Sequence, residues 1–189
     1  IEGEVAWDAR PISVNGSKKL IRLGFEYAKR RNGSPSTGES SVTCVDKSNV
    51  TRGCQLFRRV FNEVGEEYPE IGKDAAYIDA FTMWMVRNPE WFDVVVTSNM
   101  FGDIVTDLGS VLQGGMGMAA SGNIGDEHAF FEPVHGSAPK HAGLNKVNPI
   151  ASINSIQLML EWLGRRNGID ELVSIAGLID DSVSEHLRN

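Results

Sequence analysis

Asp103 and Asp107 lie four residues apart, a few positions after the apolar run Val94 to Val96. On a helix this interval puts both carboxylates on one face, where they repel each other unless a cation lies between them. Alternatively, Asp103 only caps the helix and Asp107 is a solvated surface residue. Because the pair follows a predicted strand, at the end where α/β proteins build their sites, we predict that the two carboxylates bind a metal ion.

Two further predicted strands are followed by residues that could belong to the same metal site. Asp79 would add a third carboxylate, and three such hard oxygen ligands suit Mg²⁺ or Mn²⁺. Lys47 follows another strand, and beside a divalent cation its ammonium form is disfavoured by like charge, which suits proton transfer. Taken alone, Lys47 would be a surface lysine in a solvated turn. The three strand ends together predict a metal site with an acid/base lysine.

The elements that must position these residues alternate along the chain. Short apolar runs predict strands at VTCV, AAYID and DVVVTS, and helical spacing predicts amphipathic helices before and between them. The predicted buried faces of the first two helices are Ile21, Gly24, Phe25 and Ala28, and then Leu56, Phe57, Val60, Phe61 and Val64. Further helices are predicted at FTMWMVRNP and from near Phe101. This alternation predicts an α/β fold.

The composition and the hydrophobic pattern of the sequence change after residue 112. The segment QGGMGMAASGNIG ends the alternation and predicts a hinge or domain boundary near Gly114 and Gly115. Residues 130–149, FFEPVHGSAPKHAGLNKVNP, read as a long irregular loop with three prolines. Pro149 then opens a predicted helix. The residues predicted on the buried side of this helix are Ile153, Ile156, Leu160 and Leu163.

Composition excludes several classes of protein. The 189 residues are 41% hydrophobic and 23% charged, which is ordinary for a soluble globular protein. A formal net charge of −7 without a Lys/Arg-rich run argues against nucleic acid or an anionic membrane surface as a partner. Cys44 and Cys54 fit no CxxC motif and are expected to be free thiols. With no signal-like start and no long apolar segment, we expect a cytoplasmic protein, and the start at Ile1 suggests a piece of a longer chain.

Three long strings resemble the metal-dependent β-decarboxylating dehydrogenases, which include isocitrate, homoisocitrate, isopropylmalate and tartrate/D-malate dehydrogenases. The strings are DKSNV, IDAFTMWMVRNPEWFDVVVTSNMFGDIVTDLGSVLQGGMGMAASGNIG and FEPVHGSAPKHAGLNKVNP. The resemblance runs from about Ala6 to about Leu187. It implies the three-layer α/β fold of the isocitrate/isopropylmalate dehydrogenases. Residues 1–114 would form the small domain with the dimerisation and catalytic elements, and residues 115–189 the C-terminal part of the large, dinucleotide-binding domain.

The resemblance also implies roles for the residues discussed above. Asp103 and Asp107 match the metal ligands of a subunit's own site, and Asp79 matches a ligand that the partner subunit donates. Lys47 matches the partner-subunit lysine that acts on the substrate hydroxyl proton. Asn49 matches a residue that lies near the substrate and the nicotinamide. The implied reaction is hydride transfer from the 2-hydroxy carbon to the nicotinamide, followed by loss of CO₂ and re-protonation. A homodimer with shared active sites follows.

The loop after residue 130 matches the family's dinucleotide-binding loop, and the chain has no G-x-G-x-x-G fingerprint. Lys140 stands where NAD-using members typically carry an Asp, and His141 where NADP-dependent isocitrate dehydrogenases carry a Tyr. We therefore predict NADP, with NAD as the alternative, and by association isocitrate as the substrate; otherwise Lys140 simply faces solvent. The residues implied to bind the dinucleotide are Glu132, His135, Gly136, Ser137, Ala138, Lys140, His141 and Asn148.

The chain also departs from the family pattern. Complete members have an N-terminal block with substrate-binding arginines, a specificity serine and a catalytic tyrosine, and none of these has a counterpart here. The family's C-terminal segment is missing as well. We therefore expect residues 1–189 to be inactive alone and the activity to belong to a longer parent. A non-catalytic regulatory subunit is the alternative of a different class, and the presence of Lys47, Asp79, Asp103 and Asp107 favours the catalytic interpretation.

Overall fold

A computed structural model describes residues 3–188, which form two compact units that divide between Thr106 and Asp107. The division falls inside one helix, whereas the sequence predicted a domain boundary near Gly114 and Gly115. Both of these glycines adopt positive φ angles, 101° and 103°, just after that helix. The functional division at residue 114 stays a prediction.

A three-stranded parallel sheet forms the centre of the first unit, in the order β2-β1-β3. In register, Asp46 at the end of β1 pairs with Tyr77 of β2, and Val45 of β1 pairs with Thr97 of β3. The carboxyl ends of all three strands therefore lie at one edge of the sheet. Their bounds are β1 Ser41–Asp46, β2 Gly72–Tyr77 and β3 Val94–Thr97.

Helices cover both faces of this sheet, and their bounds are α1 Val14–Ala28, α2 Arg52–Gly65, α3 Ile78–Arg87 and α4 Asn99–Leu112. Val42 and Cys44 of β1 pack in one apolar cluster with α1 and α2. Val45 points to the opposite face and packs with Phe81 of α3 and Val105 of α4. The predicted three-layer α/β fold is confirmed. So are the two predicted helix faces, with Leu56 only partly buried.

The approach of α1 to the sheet depends on a glycine. A Cβ atom on Gly24 would overlap the Cγ1 atom of Val96 in β3. Larger residues at position 24 would push α1 away from the sheet and open the cluster that contains Phe25. Both cysteines are free, as predicted, and the structure shows that both are buried. None of the helices in residues 3–188 has the length and apolar character needed to cross a bilayer.

The second unit contains an antiparallel hairpin and two long helices. Gly122 of β4 pairs with Phe131 of β5, and α5 packs against both strands and against α6. At Gly164, near the end of α5, an added Cβ would lie 2.8 Å from Val173 Cγ2, so the glycine allows α6 to approach closely. The bounds are β4 Ala120–Ile124, β5 Ala129–Pro133, α5 Ile150–Asn167 and α6 Asp170–Arg188.

Two sequence predictions for this unit are wrong. Residues 130–133 belong to β5 and not to an irregular loop. The predicted buried face of α5 is wrong for Ile153 and Ile156, which are 38% and 51% exposed, whereas Leu160 and Leu163 are half-buried. The residues of α5 that become buried are mostly small, and include Ala151 and Ser155. Short side chains let α5 lie close to its neighbours, which leaves the isoleucines on another face of the helix.

Candidate active site

Lys47 and Asp79 meet beyond the ends of two neighbouring strands. Lys47 directly follows β1, and Asp79 lies in the first turn of α3, two residues after β2. The Lys47 Nζ group donates a hydrogen bond to Oδ1 of Asp79 and lies 5.9 Å from the ring centroid of Tyr77. This hydrogen bond holds the pKa of the exposed Asp79 carboxyl below its usual value. Asp79 is therefore ionised at neutral pH, as a metal ligand must be.

Asp103 and Asp107 lie one helical turn apart on α4, and both are exposed. The helix begins at Asn99, two residues after β3. The Asn99 side-chain amide Nδ2 lies 3.3 Å from each carboxylate oxygen of Asp103. Both positions belong to the helix α4, as the sequence predicted, and their joint binding of a cation stays a prediction.

The donor set suits a hard divalent cation, because ionised carboxylates are the ligands that Mg²⁺ and Mn²⁺ prefer. Within residues 3–188, however, no three His, Cys, Asp or Glu side chains lie close enough to hold one metal ion. Asp79 is instead paired with Lys47. The family resemblance implies that Asp79 of a partner subunit joins Asp103 and Asp107, and this arrangement stays a prediction.

A buried ion pair between Asp46 and Arg58 lies next to the turn that carries Lys47. Asp46, the last residue of β1, is 1% exposed and its Oδ2 atom accepts a hydrogen bond from Nε of Arg58 at 2.8 Å. Its Oδ1 atom accepts the Ser48 backbone N–H at 2.8 Å. Burial, with a further contribution from Asp46, raises the pKa of the Cys44 thiol to about 12, so the neighbouring thiol is neutral.

Sequence reasoning missed this pair. The one available signal was an acidic residue at the end of a strand whose other residues are mostly apolar. Such a carboxylate is rarely buried without a cation. Nothing in the spacing, however, identified Arg58 as the partner. Asn99 was missed as well, although an amide four residues before Asp103 on a helix is placed to contact it.

The predicted dinucleotide loop lies in the second unit and is largely exposed. Ala138 has a left-handed backbone, with φ 43°, immediately before a short 3₁₀ helix, Pro139–His141. Lys140 and His141 therefore lie together on an exposed turn. Glu132 is an exposed residue of β5, and Gly136, Ser137 and Lys140 are exposed further along. An open loop with a cationic turn fits an anionic dinucleotide.

Two loop residues already have structural partners. His135 is half-buried, and its Nδ1 atom lies 2.8 Å from the Gly136 carbonyl oxygen, a contact that the Nδ1-protonated tautomer makes. Asn148 accepts the Ile150 backbone N–H at 3.0 Å through Oδ1, while its Nδ2 atom lies 3.1 Å from Met118 Sδ. Asn148 thus satisfies a backbone donor at the start of α5, and its predicted contact with a dinucleotide stays a prediction.

Comparison with known proteins gives these residues a family context. The model of the isocitrate/isopropylmalate dehydrogenase family matches residues 1–186. The chain belongs to the isocitrate/isopropylmalate dehydrogenase family. The family consists of decarboxylating hydroxy-acid dehydrogenases, which generally use NAD(P) and a divalent metal.

The 3-isopropylmalate dehydrogenase of Chlorobaculum tepidum is 46% identical to this chain. The matched region covers 82% of this chain and 42% of the relative. The homoisocitrate dehydrogenase of Methanocaldococcus jannaschii is 45% identical over 88% of this chain and 46% of the relative. The crystal structure of isocitrate dehydrogenase from Methylococcus capsulatus superposes with a TM-score of 0.76 at 38% identity, covering 94% of this chain and 51% of that one. The chain thus spans about half the length of the relatives it matches.

Proposed function

We propose that the protein containing this chain oxidises and decarboxylates a 2-hydroxy acid of the malate type, using NADP or NAD and Mg²⁺ or Mn²⁺. One observation carries the proposal: Lys47, Asp79 and Asp103 follow the carboxyl ends of three adjacent parallel strands. Ligand sites of α/β proteins lie at that edge of the sheet. The residue types match the reaction, with carboxylates for a hard cation and a lysine for proton transfer.

Each residue of the chain has a separate task in this proposal. Asp103 and Asp107 hold the cation together with Asp79 of the partner subunit. Lys47 takes the proton of the substrate hydroxyl group, and Asn49 lies beside the substrate. A cation held by these carboxylates would supply polarisation of the substrate C2 oxygen, and a dinucleotide bound at the exposed loop would be the acceptor of the hydride. The substrate's remaining groups would be bound by parts of the protein outside this chain.

The exposed faces of α3 and α4 support a shared site in a homodimer. Met83 and Val86 on α3 are 52% and 60% exposed, and they follow Asp79 at intervals of four and seven residues. On α4, Met100 and Ile104 are each 51% exposed, and Asp107 continues the same face. Apolar faces that also carry the carboxylates would be covered if a second copy packed there, and the ligands of two chains would then come together.

The substrate is proposed at the level of the malate class. The sequence favoured isocitrate through Lys140, whereas several relatives are named 3-isopropylmalate dehydrogenases. The deciding test assays the full-length protein with isocitrate, isopropylmalate, homoisocitrate and tartrate in the presence of Mn²⁺. Oxidation of at least one acid with release of CO₂ supports the proposal. Inactivity with all four would defeat it in favour of a non-catalytic subunit.

The choice of cofactor gives a sharper prediction. In the full-length protein, Lys140→Asp should lower kcat/KM for NADP at least about ten-fold more than kcat/KM for NAD. The reason is that a carboxylate repels the 2′-phosphate and accepts the ribose hydroxyls of NAD. Steady-state kinetics with both dinucleotides measure this ratio.

A matched control for that substitution lies outside the loop. Lys19→Asp makes the same charge reversal at an exposed position of α1. It should leave the ratio of NADP to NAD efficiency nearly unchanged. A wild type that prefers NAD, or equal losses with both dinucleotides in Lys140→Asp, would contradict the assignment of Lys140.

A further inference from the structure

The turn that carries Lys47 is tied to its surroundings at several points. The Lys47 carbonyl oxygen accepts the backbone N–H groups of Val50 and Thr51, each at 3.0 Å. The Ser48 carbonyl oxygen accepts Nε2 of Gln55 at 2.9 Å. These contacts join the turn to the start of α2. They leave the backbone between Asp46 and Ser48 to be held by a different contact.

Asp46 fixes that position through both of its carboxylate oxygens. Oδ1 accepts the N–H of Ser48, so the carboxylate spans the peptide groups on either side of the Lys47 Cα atom. Oδ2 accepts Nε of Arg58 on α2. The Asp46 side chain is 2% exposed and that of Arg58 is 23% exposed, so the interaction is shielded from solvent.

Fold stability gives a poor explanation for this pair. A buried ion pair commonly stabilises a protein no more than apolar side chains of the same volume, because both charges must lose their hydration. Arg58 bears a further disadvantage, since its Nη2 atom is buried and has no hydrogen-bond partner among residues 3–188. What the pair supplies, and apolar residues would not, is a fixed acceptor for the Ser48 N–H beside Lys47.

We propose that Asp46 and Arg58 are positioning residues, whose buried ion pair holds the Lys47 turn so that the lysine amine is aimed at the proton it transfers. The proposal rests on the proposed function, in which Lys47 acts on the substrate hydroxyl group. The lysine side chain is long and flexible, so its amine group is placed accurately only if the Cα atom of Lys47 is fixed. Displacement of a reacting group by about 1 Å can lower the rate about 100-fold.

The first test uses Arg58→Met in the full-length protein, with Arg59→Met as the matched control. Arg59 is the next residue of α2; it is exposed, and its Nη1 atom lies 3.4 Å from Oε1 of Glu63. Arg58→Met should lower kcat about 10- to 100-fold and leave the KM for the dinucleotide within about two-fold of the wild type. Arg59→Met should change neither. Equal kcat values for the two variants would overturn the proposal.

A double-variant cycle separates positioning from a general structural role. If Arg58 acts through Lys47, then Arg58→Met should have almost no further effect on the residual rate of a Lys47→Ala protein. If it acts only on the stability of the fold, the two losses should multiply. Multiplication of the losses would therefore contradict the proposal.

A second variant guards against failure of Arg58→Met to fold. In Asp46→Asn/Arg58→Gln both charges are removed, and the Gln carbonyl group can accept a hydrogen bond from the Asn amide where Arg58 Nε now donates. The Asn carbonyl oxygen can still accept the Ser48 N–H. This neutral pair should retain most of the wild-type kcat. A kcat as low as that of Lys47→Ala in a folded neutral pair would overturn the proposal.

Amide hydrogen exchange tests the positioning without any catalysis. In the wild type, exchange at Ser48, Val50 and Thr51 should be slow because the N–H groups of these residues are hydrogen-bonded. These N–H groups should exchange faster in Arg58→Met and at the wild-type rate in Arg59→Met. A wild type inactive with all four acids would defeat the proposed function, and unchanged exchange in Arg58→Met would separately defeat the idea that the pair holds the turn.

Discussion

Replacing Asp103 or Asp107 by Asn in the full-length protein should abolish measurable decarboxylation and lower the affinity for Mn²⁺ on the order of 100-fold or more. Changes outside the ligand shell of a metal site commonly cost 10- to 100-fold, and loss of a charged ligand should cost at least as much. Both side chains are exposed on α4, so the fold should be spared. Calorimetric titration with Mn²⁺ and steady-state assays measure the two effects.

The control for these variants is Asp180→Asn, the same change at an exposed position of α6. It should leave both the Mn²⁺ affinity and the activity unchanged. Wild-type Mn²⁺ affinity in Asp103→Asn or Asp107→Asn would show that the changed residue is not a ligand. A drop in activity with all three variants would point to a general effect of lost surface charge.

Lys47→Ala should lower kcat about 10²- to 10⁴-fold, the range expected when a general acid/base group is removed. The affinity for Mn²⁺ should not fall, because the variant frees the Asp79 carboxylate from its present hydrogen bond. Lys73→Ala is a matched control, since Lys73 lies on the neighbouring strand β2 and is likewise paired with a carboxylate, Glu66, at 2.7 Å. Its kcat should stay at the wild-type value.

Two results would contradict the role of Lys47. An undiminished kcat in Lys47→Ala would exclude it from proton transfer. A loss of Mn²⁺ affinity as large as that in Asp103→Asn would indicate that Lys47 supports the cation site and not the proton-transfer step.

The strands and helices of the first unit could be predicted because local and long-range preferences agree there. β1 is buried on both faces of the sheet, and its apolar run VTCV shows this directly in the sequence. The faces of α1 and α2 repeat with helical spacing. Since the strands alternate with helices and are parallel, the placement of Lys47, Asp79 and Asp103 at one edge followed from their positions after each strand.

The second unit was harder to predict, for physical reasons that differ between its elements. The segment of β4, ASGNI, has low strand propensity, and it becomes a strand through pairing with β5. Helix α6 did have a readable signal, the apolar spacing of Ile175, Leu178 and Ile179, and this signal was overlooked. The burial of α5 could not be read from its apolar residues, because its small residues make the close contacts.

The ion pair next to Lys47 could not be predicted from the sequence either. Asp46 and Arg58 are twelve residues apart and meet only when α2 packs against β1. No local spacing rule connects a strand end with the second turn of the next helix. The sequence therefore predicted that Lys47, Asp79 and Asp103 follow the carboxyl ends of three strands, but it did not predict the contact between Asp46 and Arg58.

If each active site combines residues of two subunits, exchange of subunits between two inactive variants should restore activity. Full-length Lys47→Ala and Asp103→Asn proteins, each inactive alone, are mixed under conditions in which exchange of labelled subunits is demonstrated. In a mixed dimer, one of the two sites would contain neither substitution, because it takes Lys47 and Asp103 from different chains. We expect recovery of up to about a quarter of wild-type activity, since about half of the dimers would be mixed and each would have one intact site. No recovery despite demonstrated exchange would contradict the shared site.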